Sequence, residues 1–284
     1  MRWTPGGESQ NVEDRRGSGG FGMAPMGIGG TVILLVLSLI FGRDFVSGSG
    51  DNGSAGQQTA NGEAAPAVQQ SPEEAREVQF VSFVLDTAQA TWARLLPQDM
   101  GTRWHDAKLV LFRNATQTGC GVGQEAMGPF YCPLDQKIYI DLAFYDELRT
   151  RFGAPGDFAQ AYVLTHELGH HVQHLLGIDE RVRRAQEANP DQANALSVRL
   201  ELQADCYAGI WAHETQRQQM LETGDVEEAL NAASSVGDDR IQRATRGRVN
   251  ADTFTHGTSQ QRATWFRRGF DSGNPKDCNT FASA

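Results

Sequence analysis

Apolar residues divide the chain into stretches with different rules. From Gly17 to Gly42 no charged residue occurs, and within that stretch residues 31–41 (TVILLVLSLIF) are almost continuously apolar. The 26 uncharged residues could span roughly 39 Å as a helix at 1.5 Å per residue, enough for a hydrocarbon core of about 30 Å. The stretch that follows, SGSGDNGSAGQQTANGEAAPAVQQ, has few apolar side chains and reads as a flexible tether. Periodicity returns near Pro72. Val78, Val81, Val84 and Leu85 predict a helix over 73–95, and KLVLF (108–112) predicts a strand. A turn-rich stretch, TGCGVGQEAMGPFYCPLD, then leads to KIYID (137–141), which alternates like a strand with Ile138 and Ile140 on one face and Tyr139 on the other. Everything beyond Asp157 reads as helix and loop. Strands precede helices, an α+β order, mostly helical with a small sheet.

Composition sharpens the division. Of 31 glycines, 15 fall between Gly6 and Gly62. With a mean hydropathy of -0.44 this excludes a uniform globule, a collagen and a polytopic membrane protein. The organisation expected is a leader at 1–20, a transmembrane anchor at 21–42, a linker at 43–71 and one folded domain at 72–284. Arg15 and Arg16 precede the span and only Arg43 follows it, so the leader is expected on the cytoplasmic side and the domain outside the cytoplasm. A cleaved signal peptide is disfavoured by the long polar leader and the lack of an A-x-A site. The formal charge of -10 excludes broad nucleic-acid binding, and Arg240, Arg243, Arg246 and Arg248 read as a solvated helix face. Cys120, Cys132, Cys206 and Cys278 allow three disulfide connectivities, of which the pairing nearest in sequence is expected.

The chemistry sits on two helices. The first runs from Asp157, read as its N-cap, to a stop at Gly177, and carries His166, Glu167 and His170 as H-E-L-G-H. Histidines four apart share a helix face, so both imidazoles reach one metal ion, with Glu167 beside them as general base. Gln173 and Leu176 stand where the metzincin pattern needs a glycine and a third histidine. The third zinc ligand is therefore expected from Glu201 on the helix LSVRLELQADCYAGIWAHET, with Asp205 one turn on to orient a liganding histidine. His174 is a rival ligand, and His171 lies off the metal face. His256 is expected to donate to the oxyanion, with Tyr207 and Arg262 behind it, just before a helix capped by Thr258 and Gln261.

E-x-x-x-D following H-E-x-x-H resembles the gluzincin metallopeptidases. MRW, NVEDRRG, GPFYCPLDQKIYIDLAF, HELGHHVQ, ELQADCYAG and HGTSQQR together resemble a bacterial family of neutral zinc metallopeptidases over nearly the full length. The resemblance implies a zincin-like fold, Zn2+, a single N-terminal membrane anchor and hydrolysis of a peptide or protein substrate. It places the site on His166, Glu167, His170 and Glu201, with KIYID as the edge strand beside the cleft and an endopeptidase favoured. The competing reading is an envelope binding or scaffold protein that uses the zinc site without hydrolysis. The intact Glu167 speaks against it. Substrate identity and oligomeric state are left open.

Overall fold

The computed structural model describes residues 1–17, 70–124 and 128–282. The expected anchor at 21–42 and nearly all of the linker lie outside the described residues. Among the described residues no helix is long and apolar enough to cross a membrane.

The first 17 residues, set apart above within a leader, are folded onto the domain. Strand β1 (Val12–Asp14) pairs in parallel with β2 (Lys108–Phe112), Val12 opposite Leu109. Trp3 packs edge-on against Phe80. The Met1 ammonium reaches Asp157 at 2.8 Å and Asp225 at 3.3 Å. Arg16 is buried, bonded to Asp14 and Gln70 and paired with Glu74. A leader on one face of a membrane and a domain on the other would pull these contacts apart.

Helix α1 (Pro72–Met100) begins where Ser71 accepts from the Glu74 backbone and ends at Gly101 in the left-handed conformation. After β2 come β3 (Ala115–Thr118) and β4 (Gly121–Gln124), an antiparallel hairpin, then β5 (Phe130–Cys132) and β6 (Lys137–Asp141). The sheet order is β1-β2-β6-β5, parallel except for the antiparallel β5. KIYID is therefore an interior strand, and the expectation that it forms the edge is corrected. The edge is β5, whose three residues sit between Pro129 and Pro133. So short a run shows no readable alternation, yet it folds back to place Phe130 opposite Tyr139. β2 and β6 are buried on both faces, as parallel interior strands are. Leu109, Leu111, Ile138 and Ile140 join the main core, while Val110, Phe112 and Tyr139 form a smaller one on the other side.

Seven helices follow among the described residues: α2 (Ala143–Thr150), α3 (Asp157–Leu175), α4 (Ile178–Ala188), α5 (Ala193–Arg217), α6 (Asp225–Ser235), α7 (Asp238–Arg246) and α8 (Ser259–Ser272). Gly156, not Asp157, caps α3; Asp157 is its first residue and holds the Met1 ammonium instead. Gly177 ends the α3 segment with φ 64°, as its position suggests. Thr258 and Gln261 form the expected capping box. The four arginines from Arg240 to Arg248 are exposed.

Two close backbone approaches set the site. A Cβ on Gly169 would lie 3.0 Å from the Ala204 carbonyl oxygen, so α3 and α5 pack tightly between the two histidine turns. On the other side of α5, a Cβ on Gly269 would lie 2.0 Å from the Cys206 carbonyl oxygen and one on Gly209 would lie 2.1 Å from that of Phe266, pressing α8 onto α5. The disulfides join Cys120 to Cys132 and Cys206 to Cys278, the sequence-nearest pairing. The first ties the tip of the β3–β4 hairpin to the edge strand. The second clamps the C-terminal 3-10 turn (Pro275–Cys278) to α5.

Candidate metal centre

His166 and His170 lie one turn apart on α3, and Glu201 faces both from α5. The Glu201 carboxylate is 3.1 Å from His166 Nε2 and 3.5 Å from His170 Nε2. One donor atom from each of the three lies within 4.8 Å of the other two. The far nitrogen of each ring is already engaged: His166 Nδ1 lies 2.8 Å from Asp205 Oδ1 and His170 Nδ1 lies 2.8 Å from Gln173 Oε1. Both Nε2 atoms are thereby turned toward Glu201. Two imidazole nitrogens and one carboxylate, each ring oriented from behind, form a donor set that suits zinc with one position open.

The protonation behaviour agrees with a cation site. Burial disfavours a charge on His166, yet Asp205 and Glu201 raise its pKa to about 9; a bound cation would take the place of that proton. Burial lowers the His170 pKa. Glu201 is held well below the carboxylate range: burial opposes this, but the two histidines outweigh it. Burial pushes Glu167 up to about 7, aided by the negative charge of Glu201 and opposed by His166. A carboxyl with that pKa is suited to take up and release a proton near neutrality.

Asp205 does more than orient one ring. Besides His166, its Oδ1 accepts from Tyr162 Oη at 2.5 Å and Arg262 Nη2 at 2.9 Å, and its Oδ2 accepts from Arg262 Nε at 2.8 Å. Burial is overcome chiefly by the Arg262 charge, and the Asp205 pKa falls to about 2. Arg262 Nη2 also donates to Tyr162 Oη at 3.1 Å.

A cavity of about 450 Å³ opens over these groups, lined by His166, Glu167, His170, Glu201, His256 and Arg262 together with β5 and aromatic walls. The backbone N–H of Tyr131 on β5 donates to Glu167. His256 enters from the loop before α8. Its backbone N–H donates to Asp238 at 2.6 Å, and its Nδ1 lies 3.3 Å from Asp238 and 3.0 Å from Thr255 Oγ1. Burial lowers its pKa, but the Asp238 hydrogen bond and the charges of Glu201 and Asp238 more than offset this, so the net shift is upward.

His166, Glu167, His170, Glu201, Asp205 and His256 are thus brought to one place. Tyr207 is not: it packs edge-to-face with Trp92 and lines a different cavity, between α4 and the C-terminal turn. Arg262 reaches the cleft but is committed to Asp205 rather than free as an oxyanion donor. His174 turns to Asp179 at 2.7 Å, and His171 is buried between Tyr131 Oη and the His105 carbonyl. From the sequence, no role in the site is expected of Tyr162, one turn before His166, or of Gln173, three residues after His170. Their i±3 and i±4 spacing from the ligands was the available signal.

The protein named "Uncharacterized protein YpfJ" of Escherichia coli (strain K12) is 51% identical over 292 residues, covering 100% of both chains. "Uncharacterized protein Rv2575" of Mycobacterium tuberculosis is 44% identical over 210 residues, 70% of this chain and 69% of the relative. No solved structure matches the chain. Residues 1–281 match the family described as "Putative neutral zinc metallopeptidase", and the chain belongs to that family.

Proposed function

We propose that the protein is a zinc-dependent endopeptidase, with His166, His170 and Glu201 as ligands and Glu167 as general base. The observation that carries this is the convergence of both Nε2 atoms on Glu201 beside a buried carboxyl whose pKa is raised to about 7. Zinc in this donor set supplies a Lewis acid for the scissile carbonyl and a water acidified toward neutrality. Glu167 takes the proton from the attacking water and delivers it to the leaving amine. His256, its Nδ1 side held by Asp238 and Thr255, offers Nε2 to the oxyanion. The substrate backbone pairs in extended form with β5, the strand that borders the cleft, and this favours cleavage within a chain over removal of a terminal residue.

The two disulfides support an extracytoplasmic compartment for the domain, and the uncharged, apolar sequence of residues 21–42 supports attachment to the membrane through that segment. Since β1 is a strand of the domain's own sheet, the first 17 residues belong in that same compartment, so residues 21–42 attach to the membrane without leaving their two flanks on opposite sides, and the single crossing expected above is revised accordingly. Glu8→Cys and Val249→Cys variants, labelled in whole cells with a membrane-impermeant maleimide, test this. Labelling of both supports the arrangement, and labelling of Val249→Cys alone contradicts it. There are no free cysteines among the described residues to confuse the readout.

The activity itself is tested with a quenched-fluorescence peptide blocked at both termini, incubated with the zinc-loaded protein. Internal cleavage located by mass spectrometry is expected. Cleavage confined to peptides with a free terminus would overturn the endopeptidase reading.

A further inference from the structure

His166 is oriented by a carboxylate, but His170 is oriented by an amide, and an amide has to be told which way to face. Gln173 is fully buried and makes three hydrogen bonds. Its Nε2 donates to the Leu200 carbonyl at 2.7 Å and to Gln203 Oε1 at 3.2 Å, which leaves Oε1 to face His170 Nδ1 at 2.8 Å. Gln203, 4% exposed, has its own Nε2 on the Cys278 carbonyl at 2.9 Å.

A backbone carbonyl only accepts, so both ends of this chain have a fixed direction. The Leu200 carbonyl requires the NH2 of Gln173, and so does Gln203 Oε1, which faces Gln173 because the Cys278 carbonyl takes the NH2 of Gln203; Gln173 Oε1 must then accept from His170. His170 is left with its proton on Nδ1 and its lone pair on Nε2, the form that ligates a metal through Nε2. The Cys278 carbonyl is itself held by the Cys206–Cys278 disulfide and by the Thr280 hydroxyl on the Arg199 carbonyl at 2.7 Å.

We propose that Gln173 is a positioning residue that carries the direction of the Leu200 carbonyl to His170 and fixes its tautomer, with Gln203 and the disulfide-clamped Cys278 carbonyl behind it as a second hold in the same sense. This rests on the zinc reading above for its consequence, though not for its geometry.

The test uses the full-length, metal-free protein with 15N-labelled histidine at neutral pH, and the His170 resonances are assigned by their loss in His170→Asn. Long-range proton–nitrogen correlation is expected to show the wild-type His170 proton on Nδ1. A proton on Nε2 in the wild type overturns the proposal without any variant. In Gln173→Met, which keeps length but removes the amide, a mixture of tautomers is expected, with zinc affinity weaker by about 10- to 100-fold. In Gln203→Met the Leu200 carbonyl still directs Gln173, and His170 is expected to keep its proton on Nδ1. If Gln173→Met lowers thermal stability while tautomer and zinc affinity stay as in the wild type, the residue is only structural and the proposal fails. Should the wild type show the Nδ1 tautomer but take up no zinc, the zinc reading fails and the relay stands.

Discussion

Gly269→Ala perturbs the site from a distance and has a magnitude that follows from the packing. The new Cβ would sit 2.0 Å from the Cys206 carbonyl oxygen and 3.1 Å from the Ile210 backbone nitrogen, so no side-chain rotation relieves it. Ordinary contact begins near 3.4 Å, so α8 and α5 must part by about 1.4 Å at this point if the helices keep their shape. Arg262 lies two turns earlier on the same face of α8. Its bonds to Asp205, at 2.8 and 2.9 Å, would stretch beyond hydrogen-bonding distance. Overpacking costs about 1–3 kcal/mol, and a lost charge-assisted hydrogen bond adds about 1.5–3 kcal/mol. At roughly 2–4 °C per kcal/mol for a domain of this size, a total of about 2.5–6 kcal/mol lowers Tm by about 5–24 °C. Zinc affinity should fall with it, because Asp205, without Arg262 to fix it, holds His166 less firmly. Thermal unfolding of the metal-free protein and a competitive zinc titration measure the two effects. A variant that melts within about 2 °C of the wild type and binds zinc equally well would refute the link from helix spacing to metal site.

Three other outcomes follow. Asp205→Asn leaves the buried Arg262 without its counter-charge and should cost about 3–5 kcal/mol in denaturant unfolding, with weaker zinc binding; a loss below about 1 kcal/mol would show that Tyr162 and the Val236 carbonyl satisfy Arg262 alone. Glu201→Ala should weaken zinc binding in the same competitive titration, and stoichiometric tight zinc in that variant would remove Glu201 from the ligand set. Docking of β1 should be acid-labile. Burial would raise the Glu13 and Asp14 pKa values, but Lys137 and Arg15 for Glu13, and Arg16 for Asp14, lower them below 4.5 and 3.8. The stability they contribute is complete above those unfolded values and is lost as pH falls through the lower folded ones. Hydrogen exchange at Val12–Asp14 should therefore quicken, relative to β2, as pH drops below about 4; protection that tracks β2 throughout would contradict this.

The candidate metal face was legible in part because helical periodicity is a local property: four-residue spacing puts His166 with His170 on one helix face and Glu201 with Asp205 on another. β2 and β6 were legible to the residue, since strong β-formers run through both. β5 was not, because its position depends on pairing with β6 and on the Cys120–Cys132 bridge rather than on three residues of pattern. The incorporation of β1 was hidden for a similar reason. Its partner lies almost a hundred residues on, beyond an apolar stretch that suggests a boundary. Tyr162, Gln173, Gln203 and Arg262 carry polar groups whose partners come from other helices. Their roles emerge only once Gly169, Gly209 and Gly269 have let those helices approach.

The most direct test of the account compares zinc content and peptide cleavage in the wild type and Glu167→Gln, prepared identically. Glu167 lines the cleft without belonging to the three-residue donor set, so the account predicts one zinc per chain in both proteins, with internal cleavage by the wild type and none by the variant. Equal cleavage by the two, or none by a zinc-loaded wild type across a diverse peptide library, would contradict it.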